Sequence, residues 1–401
     1  MRVLTSDLQG VKSAWKNSRR PYYLQYCPSF IECPLWAKSG PLSDPSKGLR
    51  APFIRRKTHN RRKIRPAISA FGQLTSLHHG RIDSYGRKIV RKPSHRAAIK
   101  SLIANPVPWP NGARCAVAIT FDIDTDSFLH LEQGEQALKM LSALSWLRYD
   151  EVAVPRILEV YRRYGLKQTF FYPAWCMERY PRLVEMILKD GHEIAAHGYL
   201  HEEPNKQTRE REQYWLRRQI DVIAGMTGKR PRGWRAPVYK ASHHSPELLA
   251  EEGLIYEASL MGDDVPYVLR TQKGDVRELP SHVALDDWPH FVHSFDIDYR
   301  MPVKSPDEAF ACYWAEFEAA YNHGGLWIGV WHPFVTGRLS RCIRMARMIE
   351  DMLRKKRVWF ATMEEIARHA QACIAKGTWQ PRIDRMPYYE GTIPELRDAA
   401  E

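Results

Sequence analysis

Two histidines four residues apart, His197 and His201, stand in "EIAAHGYLHEE" (Glu193 to Glu203), just after a short apolar run and a glycine. Imidazoles at that spacing can meet one metal ion, or they can be ordinary polar residues of a turn. The pair lacks the local glutamate of the HExxH pattern, so a further ligand and a base must come from elsewhere. Asp122 and Asp124 close the run "AVAITFDID". Strand residues two apart point to the same side. Two carboxylates on one face are costly unless a cation or a proton separates them; a solvated loop or a helix cap is the plainer alternative. Two imidazoles and one such carboxylate make a three-ligand set that leaves a position open for water. Glu202 and Glu203 read as solvated acids.

Arg235 stands in "GWRAP". The following Ala-Pro favours extended backbone, and an arginine at a strand end can grip a carboxylate with two prongs; a surface arginine is the alternative. His332 follows the apolar run "LWIGVW" and is either a proton donor or a satisfied core histidine. Asp286, Asp287 and Trp288, and the stretch "GDDVPY" (Gly262 to Tyr267), offer carboxylates that partner a histidine or cap a turn. Trp327, Trp331 and Phe334 read as core.

The elements that must position these groups alternate. Ala113–Asp124, Gln168–Ala174, His192–His197, Leu254–Ser259 and Leu326–Pro333 read as buried strands. Arg232–Pro237 reads as a further short segment at a strand end. Between them, 151–167, Tyr180–Gly191, 208–228, Ser245–Gly253 and 338–356 read as helices, several ending at glycine. Residues 358–372 read as a strand running into a helix. Strand–helix alternation implies a parallel sheet, and about seven repeats suit a closed or nearly closed (β/α) barrel. The polar candidates follow strand ends, the rim that carries chemistry in such barrels.

Of 401 residues, 44% are hydrophobic and 26% charged, ordinary for a globular protein. The net charge of +14 is unevenly spread. Residues 1–100 hold 22 lysines and arginines against 4 acids, leaving 38 against 42 in the rest. That segment, with "RRKTHNRRKIRP" (Arg55 to Pro66), reads as a disordered basic extension. It could be a solvated appendage, an arm for nucleic acid or a targeting segment. The seven cysteines lack CxxC spacing and read as reduced thiols. With no membrane-length apolar run and no secretory signal, a cytoplasmic protein without membrane contact is expected.

The ordered motifs "TFDID", "HGYLH", "GWRAP", "LDDW" and "WIGVWHP" resemble those of the NodB-type polysaccharide deacetylases, carbohydrate esterase family 4, over residues 107–375. The resemblance implies an α/β fold, a distorted (β/α) barrel, between the extension 1–100 and a tail 376–401 that wraps the surface or a neighbouring subunit. It implies a hydrolase of non-peptide C–N bonds using a divalent metal, zinc first. By resemblance Asp122 is the base, and Asp124, His197 and His201 are the metal ligands. Arg235 orients the base, and His332 is the acid, supported by Asp287 and Trp288. A backbone N–H near Val238 faces the oxyanion. In many members the two aspartates are adjacent, whereas Ile123 separates them here. This spacing is similar to a branch of cytosolic peptidoglycan-deacetylase-like proteins, near allantoinase-like and cyclic-imide-hydrolysing ones.

Three functions follow as expectations. The first is N-deacetylation of an N-acetylated sugar. The second is ring-opening of a small cyclic amide or imide by the same groups. The third is a non-catalytic barrel with a nucleic-acid-binding arm, which the intact acid, base and ligand positions disfavour. Self-association into a homo-oligomer is compatible with the tail.

Overall fold

A computed structural model describes residues 101–297 and 299–389. The expectations for the basic extension 1–100 lie outside the described residues. Strands β1 (Cys115–Asp122), β2 (Thr169–Tyr172), β3 (Glu193–Ala196), β4 (Gly233–Trp234), β5 (Tyr256–Glu257), β6 (Tyr267–Thr271) and β7 (Gly274–Glu278) come first along the chain. A two-stranded ribbon, β8 (His293–Ser294) and β9 (Tyr299–Arg300), follows, then β10 (Leu326–Trp331), β11 (Val358–Phe360) and β12 (Ile383–Arg385). The main sheet runs β10-β1-β2-β3-β4-β5-β7-β6-β12, with β11 beside the start of β1.

From β10 to β7 every pairing is parallel. The chain leaving β7 then returns to β10, where Asp286 bridges Val330. Val330 already pairs with Thr120 of β1, so Asp286 takes the opposite edge, and the wall closes by this one bridge. This is the expected distorted barrel. Helices Asp150–Tyr164, Pro181–Lys189, Arg209–Thr227, Ser245–Glu251, Pro306–His323 and Leu339–Arg354 connect the strands. The expected glycine stops hold at Gly165 and Gly228, both left-handed C-caps.

The two faces of β1 separate two cores. Val117, Ile119, Phe121 and Ile123 join the larger cluster shared with the surrounding helices. Ala116 and Ala118 face a second cluster with Phe171, Ala195, Tyr256, Ile328 and Val330. These small and branched residues fill the barrel interior, and the period of two carries the same face on to Asp122 and Asp124. Gly233 makes room within it: a Cβ there would lie 1.9 Å from the Tyr256 ring. The helix Met363–Ala375 packs Met363, Ile366, Ala367 and Ala370 into this inner cluster. Its first amides bond to Thr169 and Glu193 at the starts of β2 and β3. The helix therefore stoppers the lower mouth and leaves the strand C-termini as the open end.

Three features depart from the sequence reading. The β6–β7 hairpin is antiparallel and extends the sheet beyond the barrel wall. The helix Pro306–His323, set by a Ser305–Glu308 capping box, was not anticipated. The tail does more than wrap the surface: β12 pairs in parallel with β6, adding a strand. Among the described residues no helix is long and apolar enough to cross a membrane, and the five described cysteines are free thiols.

Candidate active site

Asp122 is the last residue of β1, and Asp124 follows two positions on. Both are buried, 3% and 2% exposed, while Ile123 between them turns into the outer core. His197 follows β3, and its Nε2 lies 3.6 Å from Asp122 Oδ2 and 3.5 Å from Asp124 Oδ1. His197 Nδ1 donates to the Arg235 carbonyl at 2.8 Å. That bond fixes the tautomer and leaves the Nε2 lone pair facing the two carboxylates. Burial lowers the His197 pKa in spite of both acids, which favours the neutral imidazole a metal needs.

His201 reaches the same point from a loop. Its backbone is left-handed, φ 65°, uncommon for a non-glycine residue. Its Nε2 lies 3.4 Å from Asp124 Oδ2. Glu202 holds this loop in shape, accepting from Tyr199 N at 2.9 Å and Leu200 N at 2.7 Å. It is therefore a loop anchor and not the solvated acid expected; Glu203 does behave as a surface acid, pairing with Lys206 and Lys240. Nothing in the local spacing marked Glu202 apart from Glu203.

Donor atoms of Asp124, His197 and His201 all lie within 4.8 Å of one another. Asp124 Oδ1 is buried without a hydrogen-bond partner. A buried orphan carboxylate oxygen facing His197, with His201 on the other oxygen of the same carboxylate, suits a divalent cation, and one carboxylate with two imidazoles is a zinc-compatible donor set that leaves positions open. Burial would raise the Asp124 pKa, but His201, His332 and His197 together hold it well below the usual carboxylate range.

Arg235, just past β4, is 1% exposed. Its Nη1 donates to Asp122 Oδ1 at 2.5 Å and to Thr120 Oγ1 at 3.1 Å. Its Nε donates to the Ala258 carbonyl at 3.2 Å, and the guanidinium stacks 3.9 Å over Phe171. So one oxygen of Asp122 is clamped and the other faces His197.

His332 follows β10. Its Nδ1 donates to Asp287 Oδ1 at 2.7 Å, and its backbone N–H donates to Asp287 Oδ2 at 3.0 Å. Thr336 adds a third bond to that carboxylate at 2.6 Å. The other ring nitrogen, Nε2, lies 3.3 Å from Asp124 Oδ2. Burial opposes the charged form, yet Asp287 and Asp124 raise the His332 pKa well above its ordinary value. Trp288 packs its ring edge-on against the imidazole at 5.4 Å. Asp286, which the sequence left open, comes within 4.8 Å of His332 and Asp287, and it accepts from Tyr239 OH at 2.6 Å and from Trp288 N at 2.7 Å. The "GDDVPY" carboxylates stay outside the site, Asp263 pairing with Arg382. Val238 and Tyr239 both have left-handed φ, 54° and 58°; a branched valine there is strained backbone beside the site.

All seven sequence-named residues thus lie at one rim. A further residue, Asp150, was missed: buried in the helix Asp150–Tyr164, it accepts from Thr125 Oγ1 at 3.0 Å, beside Asp124. Burial holds its carboxyl well above the usual range. Its position in an amphipathic helix gave no signal.

Comparison with known proteins bears on this arrangement. A solved structure from Mycobacterium smegmatis named for the polysaccharide deacetylases is 35% identical, matches 74% of this chain and 100% of its own, and superposes with a TM-score of 0.67. The chain belongs to the polysaccharide deacetylase family. The family profile matches residues 112–256. Like other members, this deacetylase-family protein is a hydrolase of carbon–nitrogen bonds other than peptide bonds. The peptidoglycan deacetylase of Helicobacter pylori is 28% identical over 243 residues, 54% of this chain and 83% of its own length. An allantoinase structure shares the fold, with 23% identity, a TM-score of 0.57 and coverage of 67% of this chain and 95% of its own.

Proposed function

We propose that this protein removes the N-acyl group from an N-acetylated sugar of a glycan, with a divalent metal held by Asp124, His197 and His201. The observation that carries the reading is the convergence on Asp124: its two oxygens lie 3.3–3.5 Å from three imidazoles, one oxygen is an orphan, and Asp122 is clamped alongside. The likeness to a peptidoglycan deacetylase supports a glycan substrate.

A metal bound there supplies a more acidic water and polarises the acyl carbonyl. The chain's residues do the rest. Asp122 takes the water proton on Oδ2, because Arg235 holds Oδ1 and keeps the carboxylate aimed inward. His332, charged and held upright by Asp287, delivers a proton from Nε2 to the departing nitrogen. An amide nitrogen leaves poorly unless protonated, so the acid is indispensable. A backbone N–H of the turn at Val238 would meet the developing oxyanion; losing one such donor typically costs about 100- to 1,000-fold.

Ring-opening of a small cyclic amide uses the same groups, and the spaced Asp122–Asp124 pair keeps it as the second reading. Mass spectrometry separates the two. Zinc-loaded protein is incubated with N-acetylglucosamine oligomers and cyclic imides. Loss of an acetyl group is expected; gain of one water on an imide, with the sugars untouched, would replace the glycan reading.

A further inference from the structure

At the seam where the barrel closes, a side-chain hydrogen bond reaches across to the turn that follows Arg235. Val238 and Tyr239 in that turn carry left-handed φ of 54° and 58° in succession. Backbone of this kind persists only where its surroundings over-determine it. We propose that the bond from Tyr239 to Asp286 is that restraint. The two are then a positioning pair for the reaction, holding the Val238 amide in register with the wall that carries His332; this rests on the hydrolytic reading above.

Both ends of the bond are anchored. The Tyr239 hydroxyl donates to Asp286 Oδ2 at 2.6 Å, and its ring packs against the inner core cluster. Asp286 is buried and cannot follow the turn. Its other oxygen accepts from Trp288 N at 2.7 Å, and its backbone bridges Val330. The next amide, Asp287 N, donates to the Val330 carbonyl at 3.1 Å. Val330 stands two residues before His332, and Asp286 comes within 4.8 Å of His332 and Asp287. Burial first, and then the Asp286 charge, raise the Tyr239 pKa well above its ordinary value, so the phenol keeps the proton that makes the bond.

A donor serves a developing oxyanion only if it is aimed before the charge appears. The start of the turn is already fixed, since Arg235 is clamped to Asp122 and Ala236 N donates to Ser259 Oγ at 2.6 Å. Within the turn, the Tyr239 and Lys240 amides donate to the Ala236 and Pro237 carbonyls at 3.0 Å each, with the Val238 amide before them. Tyr239 fixes the far end to the strand that places His332. Oxyanion donor and acid are thereby set against one another by one bond, and neither partner of that bond is a candidate metal ligand. Losing it should slow turnover and leave metal content alone.

The test takes Tyr239→Phe and Asp286→Ala, singly and together, in the full-length protein. Amide hydrogen exchange without substrate comes first. Each single variant should speed exchange of the Tyr239 and Lys240 amides about tenfold or more, and the double variant should be no faster than Asp286→Ala. Turnover of N-acetylglucosamine oligomers by the zinc-loaded protein comes second. Each single variant should lower kcat about tenfold or more, with KM within about threefold and zinc content unchanged. The double variant should match the worse single one, because the two residues act as one unit. Asp286→Asn, whose amide can still bond the phenol, should recover most of the Asp286→Ala loss. Should Asp286→Ala not fold, Tyr239→Phe alone decides, in exchange and in kcat. Unchanged exchange in Tyr239→Phe overturns the proposal. So do kcat losses that multiply in the double variant, or a rise in KM with kcat unchanged; either would mean that Tyr239 meets the substrate itself. A wild type that hydrolyses neither sugars nor cyclic imides would sink the hydrolytic reading, whereas faster exchange in the variants would still establish the restraint on the turn.

Discussion

Arg235 offers the sharpest test of how the site is held. The substitution is Arg235→Met, which keeps the stem and removes the guanidinium. Arg235 and Asp122 are 1% and 3% exposed and meet at 2.5 Å. Taking one partner from a buried ion pair costs about 3–5 kcal/mol, since the other charge is left uncompensated. One smaller loss adds to it. The Ala258 carbonyl loses its donor at 3.2 Å, whereas Thr120 still donates to the Gly329 carbonyl at 2.8 Å. The larger part should therefore vanish when the stranded charge is also removed. In Arg235→Met/Asp122→Asn the combined loss should fall short of the sum of the single losses by about 2 kcal/mol. The assay is urea unfolding of all four proteins in the presence of a chelator, so that differences in metal affinity do not enter. Additivity within about 0.5 kcal/mol would refute the claim that Arg235 acts through Asp122. Arg235→Lys adds a control: it keeps the charge but not the fork, so stability should partly recover.

Other outcomes follow from the same geometry. His201→Ala removes one of three candidate ligands, so bound metal measured by mass spectrometry and amide hydrolysis should be lost together; activity retained in metal-free buffer would sink the assignment. Asp287→Ala strips His332 of its Nδ1 partner and leaves Thr336 unpaired; turnover should fall about 100-fold or more at neutral pH, with metal content unchanged. Burial pushes the Asp286 carboxyl up to about 6, against about 4 in an unfolded chain. Its contribution to stability is full below about pH 4 and lost as pH rises through 6, a swing of about 3 kcal/mol. Asp286→Asn should thus be near neutral at pH 4 and more stable than wild type by about 1–3 kcal/mol at pH 7.5; parallel pH curves from urea midpoints would contradict this.

The parts of the fold that repeat a local rule were legible. The period of two in "AVAITFDID" placed Asp122 and Asp124 on one face, and the glycines at 165 and 228 marked true helix ends. What could not be read was set by distant partners. Glu202 and Glu203 look alike in sequence, but only Glu202 folds back onto the Tyr199 and Leu200 amides. Likewise Asp286 and Asp287 are neighbours that both come within 4.8 Å of His332, but Asp286 accepts from Tyr239 and Asp287 from His332. The strand at Ile383–Arg385 depends on the exposed edge of β6, a partner more than 100 residues away. The helix Pro306–His323 was the avoidable miss, since its Ser305–Glu308 box is a local signal.

The charges at the rim account for the spacing with which the sequence reading began. Asp122, Asp124, Asp286 and Asp287 are all buried there, and the guanidinium of Arg235 is committed to Asp122. Without a metal, protons must supply the deficit. Burial works against a charged His201, yet Asp124 raises its pKa, and His332 is raised further by Asp287 and Asp124. A divalent cation among Asp124, His197 and His201 would neutralise Asp124 directly and needs both ligand imidazoles unprotonated. Binding should therefore expel the proton from His201 while His332, still paired with Asp287, keeps its own. Adding zinc to the metal-free protein in weak buffer should release protons, and His201→Ala should abolish that release while Asp287→Ala preserves it. Release that persists without His201 would mean that another group carries the compensating proton. On this reading the two histidines do different work in spite of their shared spacing: His197 is held ready and neutral by the Arg235 carbonyl, and His201 is the proton-exchanging partner that makes metal binding sensitive to pH.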